Sequence, residues 1–207
     1  WNRRQKDQSK SNDWILAVGE MSVIADGELI DINKVTALDS IEGGERWSKS
    51  NLVDGVYGTH HLEQIISSEK SKTNGYHSAF AKNKNIKKWV QIELPSVQKI
   101  DKIVIYPARP TDFKDTPGFG FPERFRILIG SNEEASSYQT AIDKTKSDYK
   151  NPGEKPVSFS FNPIEGRYIR LDASKLNYPQ GSRGPMLALS ELTIFSGDKQ
   201  LSSNAKV

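Results

Sequence analysis

"KKWVQIELPSVQKIDKIVIYPAR", Lys87 to Arg109, is the stretch on which the fold turns. Val90, Ile92 and Leu94 alternate with Gln91 and Glu93, and a second apolar run ends at Pro107. Side chains of an extended chain point to alternate faces, so a period of two marks a strand with one face buried. The rhythm recurs in "PVSFSFNP", where Val157, Phe159 and Phe161 alternate with Ser158 and Ser160. "ERFRILIGS", "RYIRLDAS" and "LSELTIFSG" extend the set. Each run is ended by Pro, Gly or a Ser/Asn cluster, the spacing of an antiparallel β-sandwich. An all-β fold follows, with Val90, Ile92, Leu94, Ile103, Ile105, Phe125, Ile127, Phe159, Phe161, Ile169, Leu171, Leu192 and Ile194 as its expected core. One segment departs from the rhythm: "SNEEASSYQTAIDK" predicts a short helix, with Ser131 as its cap and Glu134 closing a capping box.

Composition excludes several classes of function. The 207 residues carry 29 Lys and Arg against 26 Asp and Glu, a net charge of +3. This is too mild and scattered to mark a nucleic-acid or membrane-surface protein. With no cysteine there is no disulfide scaffold, thiolate metal site or cysteine nucleophile. No apolar run approaches the roughly 20 residues that span a bilayer. "WNRRQKDQSK" has neither an initiator Met nor the apolar core of a signal peptide, so the chain reads as excised from something longer.

Between the strands lie long polar connections: Gly58 to Lys88, Pro107 to Pro122, Lys144 to Pro156 and Asn177 to Pro185. Connections of this length are functional or disordered, and the aromatics in them argue against plain disorder. In the first connecting region, "NLVDGVYGT" (Asn51 to Thr59) puts a carboxylate, a glycine turn and a hydroxyl close together, which reads either as a tight turn or as a place for an ion. The two ends also resemble each other. "LAVGEMSVIADG" from Leu16 matches "LALSELTIFSGD" from Leu187, and "ELIDINKV" from Glu28 matches "QLSSNAKV" from Gln200, at offsets of 171 and 172 residues. On this reading residues 1–27 are a linker and the last strand of a preceding repeat, 28–198 the domain itself, and 199–207 a linker opening a following repeat. The alternative is that the first strand pairs within this domain's own sheet.

From Val35 onward, "VTALDS", "RWSKSNLVDG", "GYHS", "KKWVQIELPSVQKIDKIVIYPAR", "GFPERFRILIGS", "GRYIRLDAS" and "LALSELTIFSG" follow in an order that resembles the F5/8 type C (discoidin) family. Within it the likeness is to the family 32 carbohydrate-binding modules of bacterial glycoside hydrolases. The resemblance implies a galactose-binding-like jelly-roll sandwich with binding loops at one end. It also implies a structural Ca2+ ion, held by the carboxylates of Asp54 and Glu191, the hydroxyl and carbonyl of Thr59, and the carbonyls of Asn51, Val56 and Ala188. Such hard oxygen donors suit calcium. Val56 departs from the family's usual Asp or Asn, and the long insertion after Thr59 bears on the same site.

For a sugar ligand the resemblance points to His77 and Arg109, where relatives place a His and an Arg. Tyr76 beside His77 offers a stacking ring, and the planar fork of Arg suits adjacent sugar oxygens. The bland alternative has His77 bonding backbone and Arg109 pairing with Asp112 or Asp115. Asp115 stands where galactose binders usually carry Asn, so the identity of the sugar is left open. Phe119 is a candidate platform, whereas Phe121 before Pro122 reads as packing under its loop. Tyr178, Arg183 and Met186 lie near the last strand, where relatives place another aromatic.

Catalysis is not expected. Adjacent His60 and His61 with Glu63 point to opposite sides of an extended chain, and no HExxH, GxSxG, Walker or dinucleotide signature occurs. A glycosidase needs two carboxylates across a bond, a pair the sequence does not place. The expected role is a non-catalytic module of a larger secreted, bacterial, carbohydrate-active protein, with a glycan and neighbouring domains as partners. A spacer that orients a catalytic domain, or a protein or phospholipid adhesion module, is the alternative.

Overall fold

The longest alternating stretch forms the longest strand. The computed structural model describes residues 23–25, 28–30, 34–54, 73–110, 116–197 and 199–200. It falls into two units, residues 1–32 and 33–207. In the first, β1 (Val23–Ala25) and β2 (Glu28–Ile30) form an antiparallel hairpin. In the second come β3 (Lys34–Ala37), a 3-10 turn (Ser50–Leu52), β4 (Tyr76–His77), β5 (Lys88–Pro107) and β6 (Arg124–Gly130). A further 3-10 turn (Ala135–Ser137), β7 (Tyr138–Lys144), β8 (Val157–Lys175), β9 (Ala188–Ser196) and β10 (Lys199–Gln200) complete it.

β5 and β8 pair antiparallel along most of their length, with the register broken between Glu93 and Gln98 and again near Ile100. The break falls at Pro95, which donates no ladder hydrogen bond. Before it, β5 pairs β3 on its other side, and the matching half of β8 pairs β6, which pairs β7 on its far edge. After it, β5 pairs β9, which carries β10 and β4. One strand pair therefore serves both layers. Val90, Ile92 and Leu94 from before the break, and Ile100, Ile103 and Ile105 from after it, are all buried in one cluster. Every expected core residue belongs to that cluster, with Phe161 packed at its margin. This is an antiparallel jelly-roll sandwich, as the alternation predicts.

The predicted helix at Ser131 is replaced by the 3-10 turn and β7. Asn132, not Ser131, organises the turn: its Oδ1 accepts from the Glu134 amide at 2.9 Å. Beyond it the chain pairs with the free edge of β6, a tertiary partner that a capping pattern does not register. On the face of β5 opposite the core, Arg170 lies over the rings of Trp89 (4.4 Å) and Tyr138 (4.9 Å). Gln91 Oε1 accepts from both Arg170 Nε (2.9 Å) and the Tyr138 hydroxyl (2.6 Å).

Gly75, just before β4, has φ +104, and a Cβ there would stand 2.0 Å from the carbonyl oxygen of Leu189 on β9. Only glycine permits this approach of two backbones. Gly75→Ala is expected to destabilise the domain by about 2–4 kcal/mol, read from urea unfolding. An unchanged midpoint would contradict the tight β4–β9 contact.

Candidate functional site

Four separate segments converge on a cleft of about 300 Å³. Ile41 and Trp47 come from the connection after β3, His77 and Phe80 from β4 and the residues following it. Pro110 and Phe119 come from the connection after β5, and Gly181, Ser182 and Arg183 from the one before β9. Backbone hydrogen bonds tie these segments together. The Ile41 amide donates to the His77 carbonyl (3.0 Å), and the Ser48 amide to that of Gly75 (3.1 Å). The Ser78 amide donates to the Leu187 carbonyl (2.8 Å), and the Ala188 amide to that of Gly120 (3.0 Å). The loops are thus set by the sheet edge rather than by one another alone.

Trp47 and Phe119 form the floor, stacked at 6.1 Å and both buried with Ala108, Met186 and Ala188. His77 meets Trp47 edge-on at 5.1 Å and Phe80 edge-on at 5.2 Å. Phe80 is 42% exposed and so presents a ring to solvent, opposed by Ile41 at 38%. Arg183, exposed, is the one charged residue lining the cleft among the described residues.

Burial lowers the basicity of His77 below that of a free imidazole, against smaller opposing effects of the Ser78 carbonyl and the Asp39 carboxylate. The ring is therefore neutral at pH 7. Its Nδ1 contacts the carbonyl of Ser78, which can only accept, so Nδ1 carries the proton. Nε2 is then left as an acceptor, the complement of a hydroxyl donor.

The other residues expected at a sugar site are placed differently. Tyr76 is fully buried in the main core and its hydroxyl donates to the Asp39 carbonyl at 3.0 Å, so it offers no ring face to a ligand. Arg109 pairs with Glu154 at 2.6 Å and does not line the cleft. Tyr178 is 52% exposed but also outside the lining. Met186 is buried beneath the floor, and Phe121 is a core residue, as its position before Pro122 implied. Asp112 and Asp115 lie outside the described residues, as do His60, His61 and Glu63. Trp47, Phe80, Ile41 and Ser182 were not singled out from the sequence. Phe80, an aromatic in a polar loop three residues beyond His77, was the available signal.

For the ion, Val56 and Thr59 lie outside the described residues. Of the rest, Glu191 is fully buried on β9, against which the 3-10 turn Ser50–Leu52 packs with Asn51 buried. Asp54 follows that turn, half-buried, accepting from Thr73 Oγ1 at 3.0 Å. No group of three or more His, Cys, Asp and Glu comes together among the described residues.

A family model for the F5/8 type C domain matches residues 34–189. The chain belongs to the F5/8 type C domain family. No curated protein matched it. Among solved structures, this F5/8 type C domain is similar to CpGH89CBM32-5 from Clostridium perfringens, in complex with GalNAc-β-1,3-galactose. That match has a TM-score of 0.55 and 14% identity over 79% of this chain and 95% of the other. The family 32 module of C. perfringens NanJ, in complex with galactose, aligns at 0.53 and 14% identity, over 79% and 93% of the two chains. Chitosan-binding module 1 of a Paenibacillus sp. IK-5 chitosanase/glucanase aligns at 0.52 and 13%, over 79% and 95%. At these identities the likeness is one of fold. No helix among the described residues is long and apolar enough to cross a membrane.

Because the fold favours neutral His77, the stability it contributes is complete above the unfolded value of about 6.5 and is lost as pH falls through that value toward the lower folded one. The melting-temperature difference between the parent and His77→Gln is expected to shrink from pH 7 to pH 5. A difference independent of pH would contradict a buried, neutral imidazole.

Proposed function

We propose that this domain is a non-catalytic carbohydrate-binding module that takes one end of a glycan into the cleft beside Phe80, His77 and Arg183. The observation that carries this reading is the combination found there. An exposed aromatic ring stands next to a neutral imidazole acceptor and a guanidinium donor, on loops fixed by backbone hydrogen bonds. A pyranose has an apolar ring face and hydroxyls that both donate and accept, so it matches each of the three. The glycan-bound relatives of the same fold support the reading. So does the size of the cleft, at the lower end of small-molecule sites, which run from roughly 300 to 1,000 Å³.

Binding of this kind is weak. One aromatic contact and two or three hydrogen bonds, each worth about 0.5–1.5 kcal/mol net, give a Kd on the order of 0.1–1 mM. A glycan array followed by calorimetry tests it. Phe80→Ala and Arg183→Ala are each expected to weaken binding about tenfold or more, whereas Arg109→Ala, already paired with Glu154, changes it less than about twofold. A parent that binds nothing across a broad array would replace this reading with the spacer. We place the module in a secreted carbohydrate-active protein, where recognition of a polymer keeps a neighbouring enzyme on its substrate.

The same reading includes a calcium ion between the loop after β3 and β9. The described donors, the buried Glu191 and the half-buried Asp54 with the carbonyls of Asn51 and Ala188, are hard oxygens of the kind calcium takes. Val56 and Thr59 would complete the set. The ion would fasten two ends of the domain that are distant in sequence. Calcium is expected to raise the melting temperature and a chelator to lower it, with Asp54→Ala abolishing the difference. Equal melting temperatures in calcium and chelator would refute the ion.

A further inference from the structure

We infer that Trp1–Ile32 is the closing segment of a preceding copy of the same domain, so that the protein is a tandem array with a period of about 171 residues. Two observations that do not depend on each other agree on this. The first is sequence: "LAVGEMSVIADG" matches "LALSELTIFSGD" with Leu16, Ala17 and Glu20 falling on Leu187, Ala188 and Glu191, 171 positions on. The second is backbone pairing. β9 and β10 form a hairpin in which Ser196 faces Lys199 and Phe195 faces Gln200. Moved back by 171 positions these pairs become Ala25 facing Glu28 and Ile24 facing Leu29, which is the register of the β1–β2 hairpin. At an offset of 171 the two hairpins share one register and so one assignment of faces, and from Glu28 onward the sequence match runs one residue longer, at 172.

The residues after the hairpin extend the period. Lys34 and Val35 open β3, the first strand of the described sandwich, and Lys206 and Val207 repeat that pair 172 positions later. A complete turn of the repeat thus runs from one Lys-Val to the next. The match also keeps an acidic residue, Glu20, at the position of the buried Glu191. The partner implied is therefore a second copy of this chain's own domain, earlier in the same polypeptide, in which residues 16–25 occupy the place that β9 holds here.

Val23→Asp, at the position equivalent to Ile194, is the test. In the chain of residues 1–207 the melting temperature should stay within about 1 °C of the parent, while Ile194→Asp, in the fully buried equivalent, lowers it by 10 °C or more or prevents folding. In a longer chain that includes the preceding 140 residues, Val23→Asp should instead lower a second, distinct melting transition. If Val23→Asp destabilised the described domain as Ile194→Asp does, the segment would belong to this domain and the inference would fall. It would fall equally if the preceding residues formed no second sandwich.

Discussion

Everything in the domain depends on one antiparallel pair, β5 with β8, broken at Pro95. A twenty-residue strand cannot lie flat in a single sheet this size and still bury both its ends. The break lets its halves serve different layers of one continuous hydrogen-bonded sheet, so Ile92 and Ile103, in the two halves of one strand, meet in the same core. β3, β6 and β7 then have an edge to pair with on one side of the break, and β9 on the other. The edge that matters for function is the last of these. β9 receives the two-residue strand β4, and β4 sets the buried His77 in the lining of the cleft.

The geometry of the cleft follows from that placement. Tyr76 and His77 are neighbours in an extended strand and so face opposite ways. Tyr76 goes into the core with its hydroxyl satisfied by Asp39, and His77 goes toward Trp47, Phe80 and Phe119. Asp39 also accepts from the Ala79 amide at 2.8 Å and pairs with Lys88 at the start of β5. The segment around His77 is thereby bound to the strand pair that organises the core. A cleft held this way needs little reordering to take a ligand, which is what the proposed weak binding requires.

The strands were legible because burial on one face imposes a period of two, and that period survives in Val90 to Leu94 and Val157 to Phe161 without any knowledge of their partners. The segment after Ser131 was misread because capping signals are local, whereas β7 exists only by pairing with β6. Of the residues expected at a sugar site, His77, Phe119 and Arg183 line one cleft. Tyr76 was assigned to the ligand against the same alternation that identified the strands. Arg109 lies outside the cleft lining, and its pairing with Glu154 was not legible because the two are 45 positions apart and no spacing rule connects them. Trp47 and Phe80 escaped notice because nothing local distinguishes an aromatic that floors or flanks a cleft from one in an ordinary loop.

The outer face of β5, with Arg170 over Trp89 and Tyr138, is the natural competitor for a ligand with an apolar ring face. Two-dimensional NMR of the domain during titration with a glycan that it binds separates the two. If the cleft is the site, the shifts induced by ligand concentrate on the Trp47 indole N–H, the Phe80 ring, His77 and the amides of Gly181 to Arg183. Shifts confined to Trp89, Tyr138 and Arg170, with Trp47 and Phe80 unmoved, would contradict it.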